Sequence, residues 1–251
     1  MAQREGPILI TGAGRGIGAA IARALAARGC AVAINYRENE SAARTIVEEI
    51  NANGGNARAY KADVASEREI VALFEKIHTD FGVISGLVNN AGISGGFSRV
   101  EHVTSDILQQ VFAVNVIGAF LSAREAVKCM STSHGGQGGV IINISSRAAA
   151  LGGSGEWVHY AASKGALDTL TIGLAKEVAA EGIRVNAVAA GFVDTEMHSA
   201  AGKPNRAREL GANVPLGRPA HPDEIAQAVC WLMSPAASYV TGSILSVSGG
   251  R

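Results

Sequence analysis

The chain has 251 residues, 47% of them hydrophobic and 18% charged, with a formal net charge of +0. That length allows one large domain or two small ones with a well-buried core, and the neutral balance gives no argument for nucleic acid or an anionic membrane as partner. Cys30, Cys129 and Cys230 stand isolated in apolar runs, so buried thiols and a cytoplasmic location are expected. The first ten residues lack a signal-peptide layout, no apolar run approaches the ~20 residues of a membrane span, and the scattered histidines give no metal-ligand spacing.

Ile8–Thr11 is a short apolar run after Pro7 and reads as a buried strand. Gly12-Ala13-Gly14-Arg15-Gly16-Ile17-Gly18 follows, then an Ala-rich helical pattern through Ala27. Strand, glycine turn and helix form the context of a dinucleotide-binding turn, where backbone approaches a pyrophosphate at a helix N-terminus. Two spacings compete, Gly14-x-Gly16-x-x-Ala19 and Gly12-x-x-x-Gly16-x-Gly18; the second starts where the strand stops and is preferred. The second strand, Ala31–Asn35, runs into Tyr36 and Arg37, and the first acid is Glu38. An acid at that strand end would hold the ribose 2′-hydroxyl of NAD. Arg37 and Arg15 instead favour a 2′-phosphate, hence NADP(H) over NAD(H); Arg37 also fits a solvated surface residue.

A helical pattern from Glu40 to Ala52 leads to a third strand, Ala57–Ala62, then Asp63-Val64 and a helix from Ser66 to about Asp80. Ser66 and Glu69 fit a capping box. Asp63 fits either the adenine end of a cofactor or a turn aspartate. The fourth strand, Gly86–Val88, precedes Asn89-Asn90-Ala91-Gly92, small residues that would let a loop approach a ligand. A long helix from about Ser105 to Cys129 carries Asn115 in its apolar middle, where a buried amide needs partners.

A Gly-rich loop, 131–139, leads to a fifth strand, Val140–Ile144, ending at Ser145-Ser146. The next helix, running to about Ala180, carries Tyr160 and Lys164 four residues apart and so on one face. A cation beside a phenol favours phenolate, so the pair suits proton exchange with an alcohol or carbonyl. Residues 182–188 give a sixth strand, 195–214 a weakly periodic stretch that reads as mobile, Asp223–Met233 a final helix and Ser243–Val247 a seventh strand. The alternation, without a break in composition, predicts one doubly wound Rossmann-type α/β domain over 1–251, a seven-stranded parallel sheet flanked by helices.

Thr11-Gly12-x-x-x-Gly16-Ile17-Gly18, Asn89-Asn90-Ala91-Gly92, Asn115, Ser146 and Tyr160-x-x-x-Lys164 resemble, in order and over essentially the whole length, the short-chain dehydrogenase/reductase family. The resemblance implies an oxidoreductase moving a hydride between NADP(H) and a small carbonyl or secondary alcohol. Tyr160 would be the general acid or base, and Lys164 would lower its pKa and bind the nicotinamide ribose. Ser146 would hold the substrate oxygen, and Asn115 a water linking Lys164 to solvent. Ser146 stands fourteen residues before Tyr160, where the family usually has thirteen; Ser145 is read as structural. The cofactor would also meet Gly14, Arg15, Tyr36, Arg37, Asp63, Val64, Asn90, Ala91, Gly92, Gly191, Val193 and Thr195, although Ala190-Gly191 stands where the family commonly has Pro-Gly. The loop 194–213, with Met197, His198, Lys203, Arg206 and Arg208, would cover the substrate, its basic residues facing solvent or an acidic substrate. Trp157, Val158 and 93–97 would be further walls. The overall look resembles bacterial 3-oxoacyl-acyl-carrier-protein reductases and sugar dehydrogenases such as glucose 1-dehydrogenase, and a catalytically silent NADP sensor is a further alternative. The resemblance also implies a homotetramer or homodimer, for which the apolar helices around 112–120 and 167–174 are suited.

Overall fold

The computed structural model describes residues 6–197, 202–203 and 205–251. Seven parallel strands form one sheet: β1 (Ile8–Ile10), β2 (Ala31–Tyr36), β3 (Asn56–Lys61), β4 (Gly86–Asn89), β5 (Gly139–Ser146), β6 (Ile183–Ala190) and β7 (Ile244–Val247). Their order is β3-β2-β1-β4-β5-β6-β7. The central strands β1 and β4 are buried at every residue, and β5 and β6 at all but one. Parallel strands covered on both faces read as unbroken apolar runs for this reason. Edge strand β3 is buried only at intervals, and β7 alternates between exposed and half-buried residues.

Helices α1 (Gly16–Ala26), α2 (Glu40–Ala52) and α9 (Pro222–Met233) lie over one face of the sheet, where Ile21, Leu25, Ile46, Ile225 and Val229 pack on Ile10 and Ile34. The other face takes α3 (Glu67–Phe81), α5 (Gly118–Met130) and α7 (Val158–Val178) through Ile70, Phe74, Ala126, Ala175 and Val178. Three shorter helices are also present among the described residues: α4 (Ser105–Phe112), α6 (Ala148–Leu151) and α8 (Arg206–Gly211).

Several expectations are corrected by packing. The Ser105–Met130 run is 26 residues long and apolar enough by composition to cross a membrane, so such a run is present after all. It lies against α3 and the sheet, and its middle, Ala113–Ile117, widens into a π-turn around Asn115. The capping box at Ser66 is half formed. Ser66 Oγ accepts from Glu69 N, but the Glu69 carboxylate reaches back to Asp63 N (2.9 Å) instead of the cap. β5 runs on through Ser146, and the stretch read as mobile contains α8. Cys230 is buried, but Cys30 and Cys129 are half-buried.

Candidate active site

The chain lays β2 and β3 to one side of β1, then crosses to β4 and builds outward on the other side. Such a reversal leaves a crevice beyond the C-terminal ends of the strands. There a cavity of about 990 Å³ opens, lined from the ends of β1, β2, β4, β5 and β6. Every predicted catalytic and cofactor-binding residue lines it except Asn115.

The glycine turn forms one end. Gly12 and Gly16 have φ of 62° and 53°, a left-handed backbone that disfavours side chains. At Gly18 an added Cβ would meet Asn90 Nδ2 at 2.5 Å and Gly12 O at 2.8 Å, whereas at Gly14 nothing lies closer than 3.9 Å. The required glycines are therefore those of the spacing that begins at the strand end. Asn90 Nδ2 donates to Thr11 O (2.9 Å) and Gly12 O (3.0 Å), and Thr11 Oγ1 accepts from Asn90 N and Ala91 N. Asn35, buried at the β2 position where an acid was sought, accepts from Gly12 N (3.1 Å) and donates to Ala62 O (2.9 Å). It ties the turn to β2 and the end of β3; the short amide among apolar neighbours was the available signal for it.

Helix α1 opens with no side-chain cap and no acid in its first turn. Its leading N–H groups face the cavity end with a favourable dipole for an anion. Arg15 and Arg37 flank this end, both exposed, and Arg37 pairs with Glu38 at 2.7 Å. Asp63 accepts from Ala65 N (2.9 Å) as a turn aspartate while also lining the cavity. Thr195 packs near Gly16, and Val193 bridges to Ala220. The glycine cradle and the uncapped helix fit the pyrophosphate of a dinucleotide.

The other end carries the proton chemistry. α7 brings Tyr160 and Lys164 into the cavity, 6% and 3% exposed. Lys164 Nζ donates to Ile144 O at 2.7 Å and lies 5.8 Å from the centre of the Tyr160 ring. Burial pushes the Tyr160 phenol up to about 12, opposed by a hydrogen bond with Ser146. Burial pushes Lys164 down to about 8, opposed by Asp168. Ser145 turns the other way, toward Lys164 O (3.4 Å) and Asp168.

Asn115 is fully buried behind the cavity. Its side chain accepts from Ile93 N (2.8 Å) and donates to Ile93 O and to Ser163 Oγ (2.9 Å each). A methyl added at Gly92 would stand 3.4 Å from both Asn115 Oδ1 and Lys164 Nζ, so this glycine keeps the space between them open.

The covering loop departs most from expectation. Arg206 is buried: it pairs with Glu156 and stacks 4.8 Å from Phe97 and 5.5 Å from Trp157. Lys203 lies 4.4 Å from the Phe97 ring, which stacks on Trp157 at 4.7 Å, and Trp157 lies against Tyr160 at 5.1 Å with the rings tilted. Arg208 is exposed and pairs with Asp194 at 3.3 Å; His198 lies outside the described residues.

Lys164→Met is expected to stabilise the protein by up to about 3 kcal/mol at pH 7, because the folded state holds that ammonium at a penalty of roughly two and a half pKa units. Between pH 8 and 10.5 the unfolded chain keeps a proton that the folded protein has released, so the wild type gains stability as pH rises there. The advantage of the variant should shrink across that window and vanish above it. Denaturant melts across that range measure this; an advantage that does not change with pH would contradict it.

A family profile described as enoyl-(acyl carrier protein) reductase matches residues 12–251. The chain is 48% identical over 243 residues to the uncharacterised oxidoreductase YgfF of Escherichia coli (strain K12), covering 97% of this chain and 98% of that protein. The chain belongs to the short-chain dehydrogenase/reductase family. It is an oxidoreductase of that family, 40% identical over 243 residues to a 3-oxoacyl-[acyl-carrier-protein] reductase of Synechocystis sp., with 96% and 95% covered. Its fold matches the short-chain dehydrogenase/reductase of Serratia marcescens BCRC 10948 with a TM-score of 0.90 at 35% identity, over 100% of this chain and 99% of that one. A blue fluorescent protein from a metagenomic library, solved in complex with NADPH, matches with a TM-score of 0.89 at 36% identity, over 100% and 99%.

Proposed function

We propose that the whole chain is one catalytic domain that reduces a carbonyl compound, or oxidises the corresponding secondary alcohol, with NADP(H). The observation that carries this reading is the placement of Tyr160 against Ser146 and near Lys164, in the same cavity as the uncapped start of α1. NADP(H) supplies or accepts the hydride when bound. Gly12, Gly16 and Gly18 let the backbone reach its pyrophosphate, and Asn90, Ala91, Gly92, Gly191, Val193 and Thr195 line its path. Tyr160 donates a proton to the carbonyl oxygen in reduction, and its high pKa keeps that proton in place at neutral pH. Ser146 hydrogen-bonds the same oxygen and steadies charge developing on it. Lys164 holds the ribose hydroxyls and, with a water in the gap over Gly92, passes protons inward past Asn115.

Arg15 and Arg37 hold the 2′-phosphate, a reading supported by the NADPH-bound relative and by the lack of an acid at the end of β2. Arg37→Glu is expected to cut kcat/KM for NADPH by about 10- to 100-fold, the scale of a lost charge-assisted pair. Steady-state assays with NADPH and NADH in parallel test this; equal losses with both cofactors, or a wild type that prefers NADH, would refute the phosphate reading. We also propose a cytoplasmic location and a homotetramer or homodimer. The assembly is supported by exposed Ile117 and Phe120 on the α4–α5 run and Ile172 on α7.

A further inference from the structure

Three guanidinium groups line the substrate side of the cavity: Arg147, just after Ser146; Arg206, on α8; and Arg251, at the end of the sequence. Arg251 lies 4.0 Å over the Phe192 ring, and its main-chain oxygen accepts from Arg147 Nε (2.8 Å) and Ser248 Oγ (2.9 Å). The four side-chain charges sense one another: burial, Arg206 and Arg147 all push the Arg251 guanidinium below its usual range, and Glu156 alone opposes them. Glu156 is shared further, with Arg206 and with Lys203 at 3.6 Å. Even with the Arg251 main chain counted as a terminal carboxylate, positive charge is left in excess. Glu196, the other carboxylate nearby, stands at the glycine turn, 3.7 Å from where a Gly16 Cβ would be.

A second observation comes from Arg206 itself. Its side chain is 9% exposed, and its Nε is a buried donor with no partner among the described residues. An orphaned donor on a buried cation is costly by about 1–3 kcal/mol or more. Like charges gathered in a cavity are costly too, and both costs fall when an anion enters. The position is suited to substrate: Arg206 lies over Trp157, and the Trp157 ring meets Tyr160 at a tilt, so this cation stands one aromatic ring from the proton donor.

We propose that Arg206 and Arg251, supported by Arg147, form an anion-recognition site, and that the substrate carries a carboxylate as well as its carbonyl. The proposal rests on the carbonyl reading of Tyr160 and names the substrate class for it. A carboxylate is favoured over a phosphate because the surplus of positive charge is small and a phosphate monoester brings nearly two negative charges. Guanidinium groups bind carboxylates through paired hydrogen bonds.

The test uses the full chain with two readouts. Calorimetric titration with benzoate, methyl benzoate and phenyl phosphate reads the charge site without turnover; kcat/KM for para-acetylbenzoate and its methyl ester reads it during turnover. The wild type is expected to bind benzoate at least about tenfold tighter than methyl benzoate, the scale of a charge-assisted hydrogen bond, and to prefer the keto acid to its ester. Arg206→Met and Arg251→Ala should each remove most of that preference. Arg251 is exposed, so Arg251→Ala reports even where Arg206→Met fails to fold. Equal binding of benzoate and its ester, a preference that survives both substitutions, or tighter binding of phenyl phosphate would overturn the assignment. Benzoate binding lost in the variants, with no turnover of either ketone, would uphold the anion site and reject the carbonyl reading.

Discussion

Tyr160→Phe is expected to lower kcat for carbonyl reduction by about a thousandfold, within the range of a positioned general acid, with NADPH affinity changed by less than about threefold. The phenol sits buried at the cavity wall beside Ser146, with its pKa pushed up to about 12. A group so placed keeps its proton at neutral pH and can release it only to an oxygen that becomes basic as hydride arrives. Phenylalanine fills the same space and keeps the ring contact with Trp157, so little but the proton is lost. Single-turnover rates and a cofactor titration on one preparation separate the two quantities. Undiminished turnover would assign the proton to another group; parallel loss of turnover and binding would mean that the ring serves mainly to shape the cavity.

Gly18→Ala is expected to weaken NADPH binding by about a hundredfold and to lower stability by about 1–3 kcal/mol, the usual cost of overpacking. Its Cβ would press on Asn90 Nδ2, Gly12 O and Ala13 Cα, all closer than 3.0 Å. Asn90 cannot yield freely, because that nitrogen already holds Thr11 O and Gly12 O. The start of α1 must therefore move from the glycine turn, and its N–H groups move with it. Gly14→Ala is the matched control: its Cβ meets nothing nearer than 3.9 Å, and affinity should stay within about threefold of wild type. The reverse pattern, with Gly14 sensitive and Gly18 tolerant, would revive the other glycine spacing.

The central strands were legible because each is a short apolar run with a turn or helix pattern on either side, and parallel strands buried on both faces leave that signature. Tyr160 and Lys164 were legible because helical spacing alone puts them together. The serine pair was harder. Side chains alternate along a strand, so a one-residue offset sends Ser145 toward Asp168 and Ser146 toward Tyr160, and only the observed register separates them. The π-turn at Asn115 left no sequence mark, since apolar residues continue through it. Whether Arg206 faces solvent or an acidic substrate was open in the sequence because its partners, Glu156, Phe97 and Trp157, lie at least 49 positions away. Arg251 escaped notice for the same reason, being 104 residues from Arg147. Local pattern specifies elements; the substrate end of this cavity is built from contacts between elements.

The most direct test of the central claim is isotope transfer. The enzyme would be incubated with NADPH deuterated at the transferring carbon of the nicotinamide and a panel of ketones that includes keto acids, and the alcohols analysed by mass. The account predicts deuterium on the carbinol carbon of at least one product, formed faster with NADPH than with NADH and lost with Tyr160→Phe. Tight NADPH binding without label in any alcohol would contradict it and leave a nucleotide-binding protein on an oxidoreductase fold.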